Sequence, residues 1–179
     1  MKKYLALFLA AMILCCNLTG CRKNPSPEST GGASQLNGMS LTQIVDNIYK
    51  IHPMELPLGT IDVDLKDPYA VESYLGLSST DKIAEAVASE SMLGAQAYSL
   101  VLCRVKNSAD APAVAQQMRN GINQRKWVCV FADDILVSTC DDIVMLVMIS
   151  SEYAESGTAA SLTEAFRKVC GKDLGVQIR

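Results

Sequence analysis

Residues 135–149 read ILVSTCDDIVMLVMI, from Ile135 to Ile149. Two apolar runs, 135–139 and 143–149, flank Cys140-Asp141-Asp142. Aspartate favours turns because its side chain bonds to the nearby backbone, so the stretch predicts a β-hairpin. The second run is apolar throughout, which predicts a central strand covered on both faces, with Met145 and Met148 filling the core on opposite sides.

Further strands are expected on the N-terminal side of this hairpin. Tyr98–Val105 (YSLVLCRV) is rich in β-forming residues. Residues 81–90 fit both a helical and an alternating pattern; we predict a strand there because a clear strand follows after a short break. Trp127–Phe131 (WVCVF) is predicted to be a third strand. Residues 53–67 are expected to form a loop or irregular extended chain, and the tail to Arg179 is expected to fray.

Four helices are predicted from capping signals and apolar spacing. A capping box of Ser40 and Gln43 starts the first helix, at 40–51, and Asp67-Pro68 starts a short second one that ends near Gly76. Asp110 is expected to cap a third helix that Gly121 stops. A second capping box, Ser161 with Glu164, is expected to start a fourth helix that Gly171 ends.

The element order predicts an α+β fold. Strands joined by short turns favour a mainly antiparallel sheet of about four or five strands, packed with helices. We expect a single domain at residues 40–179.

Residues 1–20 are predicted to be a lipoprotein signal peptide. Lys2 and Lys3 precede an apolar run from Tyr4 to Leu18, which at about 15 residues is short of the ~20 needed to span a bilayer. Leu18-Thr19-Gly20-Cys21 resembles a bacterial lipobox, with an aliphatic residue three before the cysteine and a small one directly before it. Cys15 and Cys16 lack that small residue, so Cys21 is the predicted lipidation site.

Residues 21–39 are predicted to be the lipidated N-terminus and a flexible tether. The segment RKNPSPESTGGASQLNG at 22–38 is rich in Pro, Gly, Ser and Thr. A diacylglyceryl group at Cys21 would supply two acyl chains. Two chains anchor a protein stably to a membrane, whereas one gives only marginal membrane binding. The expected location is therefore the cell membrane, lipid-anchored, on the extracytoplasmic side.

Charge and cysteine content narrow the classes further. The chain has 16 basic and 19 acidic residues, and losing Lys2 and Lys3 makes it more acidic, so no nucleic-acid partner is expected. The cysteines expected to remain besides Cys21 are Cys103, Cys129, Cys140 and Cys170. No C-x-x-C pair occurs among them; buried thiols are favoured, and two disulfides of unspecified pairing are the alternative.

Candidate catalytic and metal-binding groups are few. His52 is the single histidine, and it is expected to be an exposed residue at a helix end. Asp62, Asp64 and Asp67 cluster as calcium ligands do, but their spacing fails the EF-hand pattern, so solvated loop acids are favoured over an irregular calcium loop.

Two further clusters admit a structural and a functional interpretation. Asp133-Asp134 and Asp141-Asp142 could do acid–base chemistry if burial separated their pKa values, but turn formation is favoured. Arg125-Lys126-Trp127 could hold a polyanion or a sugar ring, although a lone Trp opening a strand more often packs in the core.

Residues 94–150, from GAQAYSLVLCRV to DDIVMLVMIS, resemble an uncharacterised family of bacterial lipoproteins defined as a domain of unknown function (family 4358). The shared features are a strand with Val101 and Val105, an acid-capped helix, the junction Gln124–Trp127 and an apolar hairpin, after a lipobox and polar tether. The resemblance covers about residues 40–170. It implies a compact, surface-exposed domain and supplies no activity or site residues.

The expected function is that of a membrane-anchored extracytoplasmic lipoprotein with a non-catalytic binding or scaffolding domain. Its partner would be an envelope protein or a small solute, besides the membrane itself. No catalytic residue, metal or cofactor is assigned. The alternative is a cell-envelope hydrolase that uses acidic residues.

Overall fold

The computed structural model describes residues 35–179, which fold into one antiparallel sheet with helices on both faces. The sheet has six strands in the order β1-β2-β3-β5-β4-β6. They are β1 Leu58–Asp62, β2 Ile83–Ser91, β3 Tyr98–Val105, β4 Asp134–Cys140, β5 Ile143–Ile149 and β6 Gln177–Ile178. The predicted α+β class is confirmed, with one strand more than expected.

Four helices cover the sheet: α1 Leu41–Ile51, α2 Pro68–Ala70, α3 Ala111–Gly121 and α4 Ala159–Cys170. A π-helical turn, Val71–Leu75, continues α2. Helices α1 and α4 pack on one face, while α3 and the π-helical turn pack on the other. Two separate apolar cores result, one on each side of the sheet.

Strand β5 explains this two-sided packing. All seven of its residues are buried, and Met145 lies in the core under α1 and α4 while Met148 lies in the core under α3. Its neighbours β3 and β4 are nearly as buried. The apolar run therefore became the central strand that the sequence predicted.

Three predictions about strands and caps are wrong. Residues 127–131 form a loop rather than a strand, with Cys129 at a φ of +66°. Helix α4 begins with a capping box of Thr158 and Ser161 instead of Ser161 and Glu164. The side chain of Asp110 does not cap α3; it pairs with Lys82 at 2.6 Å.

Two segments predicted to be irregular add the outer strands. Residues 58–62 in the predicted loop form β1, and residues 177–178 in the predicted frayed tail pair with β4. The domain also begins earlier than residue 40, because Leu36 is buried in the core under α1 and α4. Gln35 donates its backbone N–H to the carbonyl of Cys170 at 3.2 Å.

The two ends of the sheet are distinct. At one end Tyr98 and Asp134 both pair with Ile149, and the loop 91–97 and the segment 122–133 adjoin these residues. The opposite end carries the turn between β4 and β5, the end of α4 and Gln35. We call the first the distal end and the second the entry end.

Candidate functional site

Lys126, at the distal end, has a buried ammonium group. Its side chain is only 9% exposed and forms an ion pair with Glu90 of β2. The same nitrogen donates to the carbonyl of Ser73 at 3.1 Å and lies 3.4 Å from the hydroxyl of Ser99. An ammonium group has three donors, so these three oxygens use all of them.

Two aromatic rings complete the surroundings of this ammonium group. The Lys126 nitrogen lies 4.8 Å from the ring centre of Tyr74 and 5.2 Å from that of Trp127, within the range of cation–π attraction. Ser73 and Tyr74 both belong to the π-helical turn, a rare geometry that often occurs at functional sites. The π-helical turn, the sheet and the segment after α3 therefore meet at one charge.

Burial shifts the acidity of these groups. Loss of solvent lowers the pKa of Lys126, while the negative charge of Glu90 opposes that shift. Burial, followed by the charge of Glu90, raises the pKa of Tyr74. A lysine with a lowered pKa can act as a nucleophile, but here every donor is engaged. The arrangement therefore serves to fix the segment that carries Lys126.

That segment and the neighbouring loop expose apolar side chains. We call residues 91–96 and 123–131 together the distal loops. Val128 is 78% exposed and Met92 is 70% exposed, and Leu93 and Phe131 are also exposed. The distal loops therefore carry four exposed large apolar side chains, and such side chains mark an interaction site where they form one contiguous patch.

Arg125 adds a cation to this surface. Its guanidinium lies 4.5 Å from the ring centre of Phe131, and its backbone N–H donates to the side chain of Asn123 at 2.9 Å. Trp127 packs partly buried against the core under α3. The predicted Arg125-Lys126-Trp127 patch is thus divided: Lys126 and Trp127 face inward, and Arg125 stays exposed.

The two aspartate pairs lie at opposite ends of β4 and hold neighbouring elements in place. Asp133 accepts two hydrogen bonds from Ser151, from its N–H and its hydroxyl, each 2.6 Å long, and these bonds lower the pKa of Asp133. Asp134 accepts the N–H of Ala159, the first residue of α4, at 2.8 Å.

The second pair, beyond β4, is engaged in the same way. Asp141 pairs with Lys172, and Asp142 pairs with Arg104 at 2.9 Å. Asp141 also occupies the turn with a φ of +53°, a conformation that aspartate tolerates better than most residues. The favoured turn interpretation of Asp141-Asp142 agrees with this geometry.

His52 lies beside a serine hydroxyl, although its surroundings differ from those expected. It is half-buried rather than exposed, and its Nε2 is 3.2 Å from the hydroxyl of Ser161. That hydroxyl accepts the N–H of Thr158 at 2.9 Å and donates to the carbonyl of Thr158 at 3.0 Å. Ser161 therefore completes the cap of α4.

The acids of the 62–67 segment stabilise local turns. Asp64 accepts the N–H of Lys66, and Asp67 accepts the N–H of Tyr69, both at 2.9 Å. Asp62 ends β1. Within residues 35–179, no group of three or more His, Cys, Asp or Glu side chains is placed to hold a metal ion.

The cysteines occupy different environments. Cys103, Cys140 and Cys170 are buried, as the thiol interpretation predicts, whereas Cys129 is exposed. Burial raises the pKa of the Cys103 thiol to about 12. The predicted lipidation site, Cys21, lies outside the residues that the structure describes.

An open cleft lies between the π-helical turn and the end of α3. Its volume is about 460 Å³, and its lining includes Lys66, Ser78, Ser79 and Thr80. Polar groups line more of it than apolar ones, unlike the mostly apolar pockets that bury small ligands.

In residues 35–179, no helix is both long and apolar enough to cross a bilayer.

Sequence reasoning missed the Lys126 site because its members are far apart in the chain. Glu90, Ser73 and Ser99 lie in three different segments, and only the sheet register and the π-helical turn bring them together. One signal was present: Lys126 adjoins an apolar run, where a charge needs a partner if that run is buried.

No family model matches the chain, and no curated protein or solved structure is significantly similar to it. The resemblance to the lipoprotein family stays a prediction.

Proposed function

We propose that this protein is a lipid-anchored extracytoplasmic lipoprotein whose domain binds a partner protein of the cell envelope through the distal loops, without catalysis of its own. The observation that carries the proposal is the group of exposed apolar side chains in those two loops. The Lys126–Glu90 pair supports it, because that pair fixes the base of the 123–131 loop.

The position of the loops favours a protein partner over the membrane. Gln35, where the predicted tether joins the domain, is hydrogen-bonded at the entry end. Strand β5 runs from that end to the distal end, and its seven residues span about 20 Å at ~3.3 Å per residue. The predicted tether therefore joins the domain at the end of the sheet opposite the distal loops.

The hydrolase alternative receives less support. Its candidate acids sit at opposite ends of β4, and each is bonded to an N–H, a hydroxyl or a cation. Two carboxylates that divide acid–base work between them must lie within reach of one substrate bond. A binding domain requires no such convergence.

Site-specific photo-cross-linking in cells tests the binding proposal. A photoreactive amino acid at position 128 should yield a discrete adduct with one envelope protein. At position 69 the same reagent should yield none, since Tyr69 is exposed on α2, outside the distal loops. In the double variant Met92→Ser/Phe131→Ser, the yield of the adduct at position 128 should fall at least 10-fold. The melting temperature of this variant should equal that of the wild type.

The purified adduct partner then provides a direct binding measurement. Its affinity for the wild-type chain should fall in the double variant and stay unchanged in Tyr69→Ser. Equal adducts at 128 and 69, or an adduct at 128 that survives the double substitution, would refute binding through the distal loops.

A further inference from the structure

Cys140 and Cys170 bring two thiols together in the core under α1 and α4. Cys140 is the last residue of β4, Cys170 is the last residue of α4, and both are buried. Both belong to the same buried cluster, and Cys140 is the strongest influence on the pKa of the Cys170 thiol, which it raises. Contacts on either side hold this junction: the Asp141–Lys172 ion pair and the bond from Gln35 to the carbonyl of Cys170.

The other two described cysteines are placed elsewhere. Cys103 lies on the opposite face of the sheet, where its sulfur is 3.7 Å from that of Met118. Cys129 is exposed in the distal loops, at the far end of the sheet from Cys140. Of these four cysteines, only Cys140 and Cys170 therefore share one buried cluster.

We propose that Cys140 and Cys170 form a disulfide when the chain meets a disulfide-bearing oxidant, such as a thiol–disulfide oxidoreductase or a low-molecular-weight disulfide. One cysteine thiolate attacks the oxidant, forming a mixed disulfide and releasing one thiol. The second cysteine attacks that mixed disulfide and releases the other thiol. Two protein thiols and one disulfide thus become one protein disulfide and two thiols.

The bond would fasten the entry end of the domain. A disulfide requires its two cysteines to be close neighbours in the fold, and the Asp141–Lys172 pair holds the ends of β4 and α4 side by side. The linkage would close the chain between β4 and α4, next to the point where Gln35 enters. It would therefore reinforce the place where a membrane tether transmits force.

The surroundings of the two thiols determine when the disulfide would form. The neighbouring Cys140 thiol, followed by burial, raises the pKa of Cys170, and only thiolates attack disulfides. The folded, reduced chain should thus react slowly, and the disulfide should form mainly while the chain folds. This part of the proposal draws on the oxidising compartment assumed in the proposed function, but the chemistry is testable in solution.

Peptide mapping without reduction tests the pairing directly. The full chain, purified in detergent and refolded with a mixture of reduced and oxidised glutathione, should yield a linked peptide containing Cys140 and Cys170. Cys103 and Cys129 should be recovered as alkylated thiols. Recovery of all four as thiols, or linkage of Cys103 or Cys129, would overturn the proposal.

Thermal unfolding provides the matched controls. Dithiothreitol should lower the melting temperature of the refolded wild-type chain by about 10 °C, as expected for loss of one stabilising disulfide. Cys103→Ala should show the same drop, whereas Cys140→Ala and Cys170→Ala should show none. An equal drop in all four proteins would contradict the pairing. A disulfide found in a chain that carries no lipid would separate this result from the proposed anchoring.

Discussion

Single residues decide how the distal end is held. Lys126 and Glu90 form an ion pair that is largely shielded from water, and the lysine side chain is 9% exposed. A buried ion pair adds little compared with well-packed apolar residues, but removal of one partner leaves an uncompensated charge. The pair should therefore behave as a unit.

Lys126→Met tests this unit. It should lower the free energy of unfolding by about 3 kcal/mol, since the largely buried Glu90, 22% exposed, would lose its cation, and the double variant Lys126→Met/Glu90→Leu should recover part of that loss. Lys82→Met is the matched control: it breaks a more exposed pair with Asp110 and should cost less than about 1 kcal/mol. Urea unfolding measures the free energy of unfolding of these three variants. Equal losses in the two single variants would contradict the structural role of Lys126.

Asp133 predicts a pH dependence with a defined sign. Its bonds to Ser151 lower the pKa from the ordinary value of 3.8, so its stabilising contribution is fully present above pH 3.8 and is lost as pH falls through the folded-state pKa. Asp133→Asn should be less stable than the wild type at pH 7, with the difference shrinking below pH 3.8. Urea midpoints from pH 7 to pH 2 provide the measurement, and a difference independent of pH would contradict it.

At the scale of elements, two glycines allow α3 to approach the π-helical turn. A Cβ at Gly121 would lie 2.0 Å from the carbonyl oxygen of Gly76, and a Cβ at Gly76 would lie 2.3 Å from the backbone nitrogen of Ile122. Backbone atoms cannot yield as a flexible side chain can. The contact therefore fixes α3 beside the turn that supplies Ser73 and Tyr74.

Gly121→Ala should destabilise the fold by about 2 kcal/mol or more, since the added methyl overpacks a backbone contact. Gly94→Ala makes the same chemical change where nothing lies within 4 Å, and it should alter stability by less than about 0.5 kcal/mol. Thermal unfolding compares the two. A Gly121→Ala protein as stable as Gly94→Ala would show that the elements are not held at this distance.

The sequence predicted the elements whose local pattern and packing agree. The all-apolar run 143–149 and the capping box of Ser40 and Gln43 are both confirmed, and so is Tyr98–Val105. Residues 127–131 carry apolar and β-forming side chains too, but β4 already lies between β5 and β6. Tertiary context thus overrode local preference there.

Short outer elements and the candidate site were beyond local reasoning. Strand β6 has two residues and exists because β4 offers an open edge, and the Lys126 site depends on long-range register. Thr158 was missed as the cap of α4 because Ser161 replaces the Glu or Gln that marks a capping box.

At the scale of the whole molecule, the proposed function involves three parts: a lipid anchor, the entry end and the distal end. Gln35 and the Cys140–Cys170 junction mark the entry end, and the exposed side chains of the distal loops mark the other. The predicted lipidation site, Cys21, precedes this entry end in the chain.

Metabolic labelling with an alkyne fatty acid tests this central claim most directly. The wild-type chain and Cys16→Ser should both incorporate the label and fractionate with membranes, because Cys21 remains intact. Cys21→Ser should incorporate none, and the N-terminal peptide of the wild-type protein should begin at an acylated Cys21. Labelling of Cys21→Ser at the wild-type level, or an unlabelled wild-type chain, would contradict the lipoprotein account.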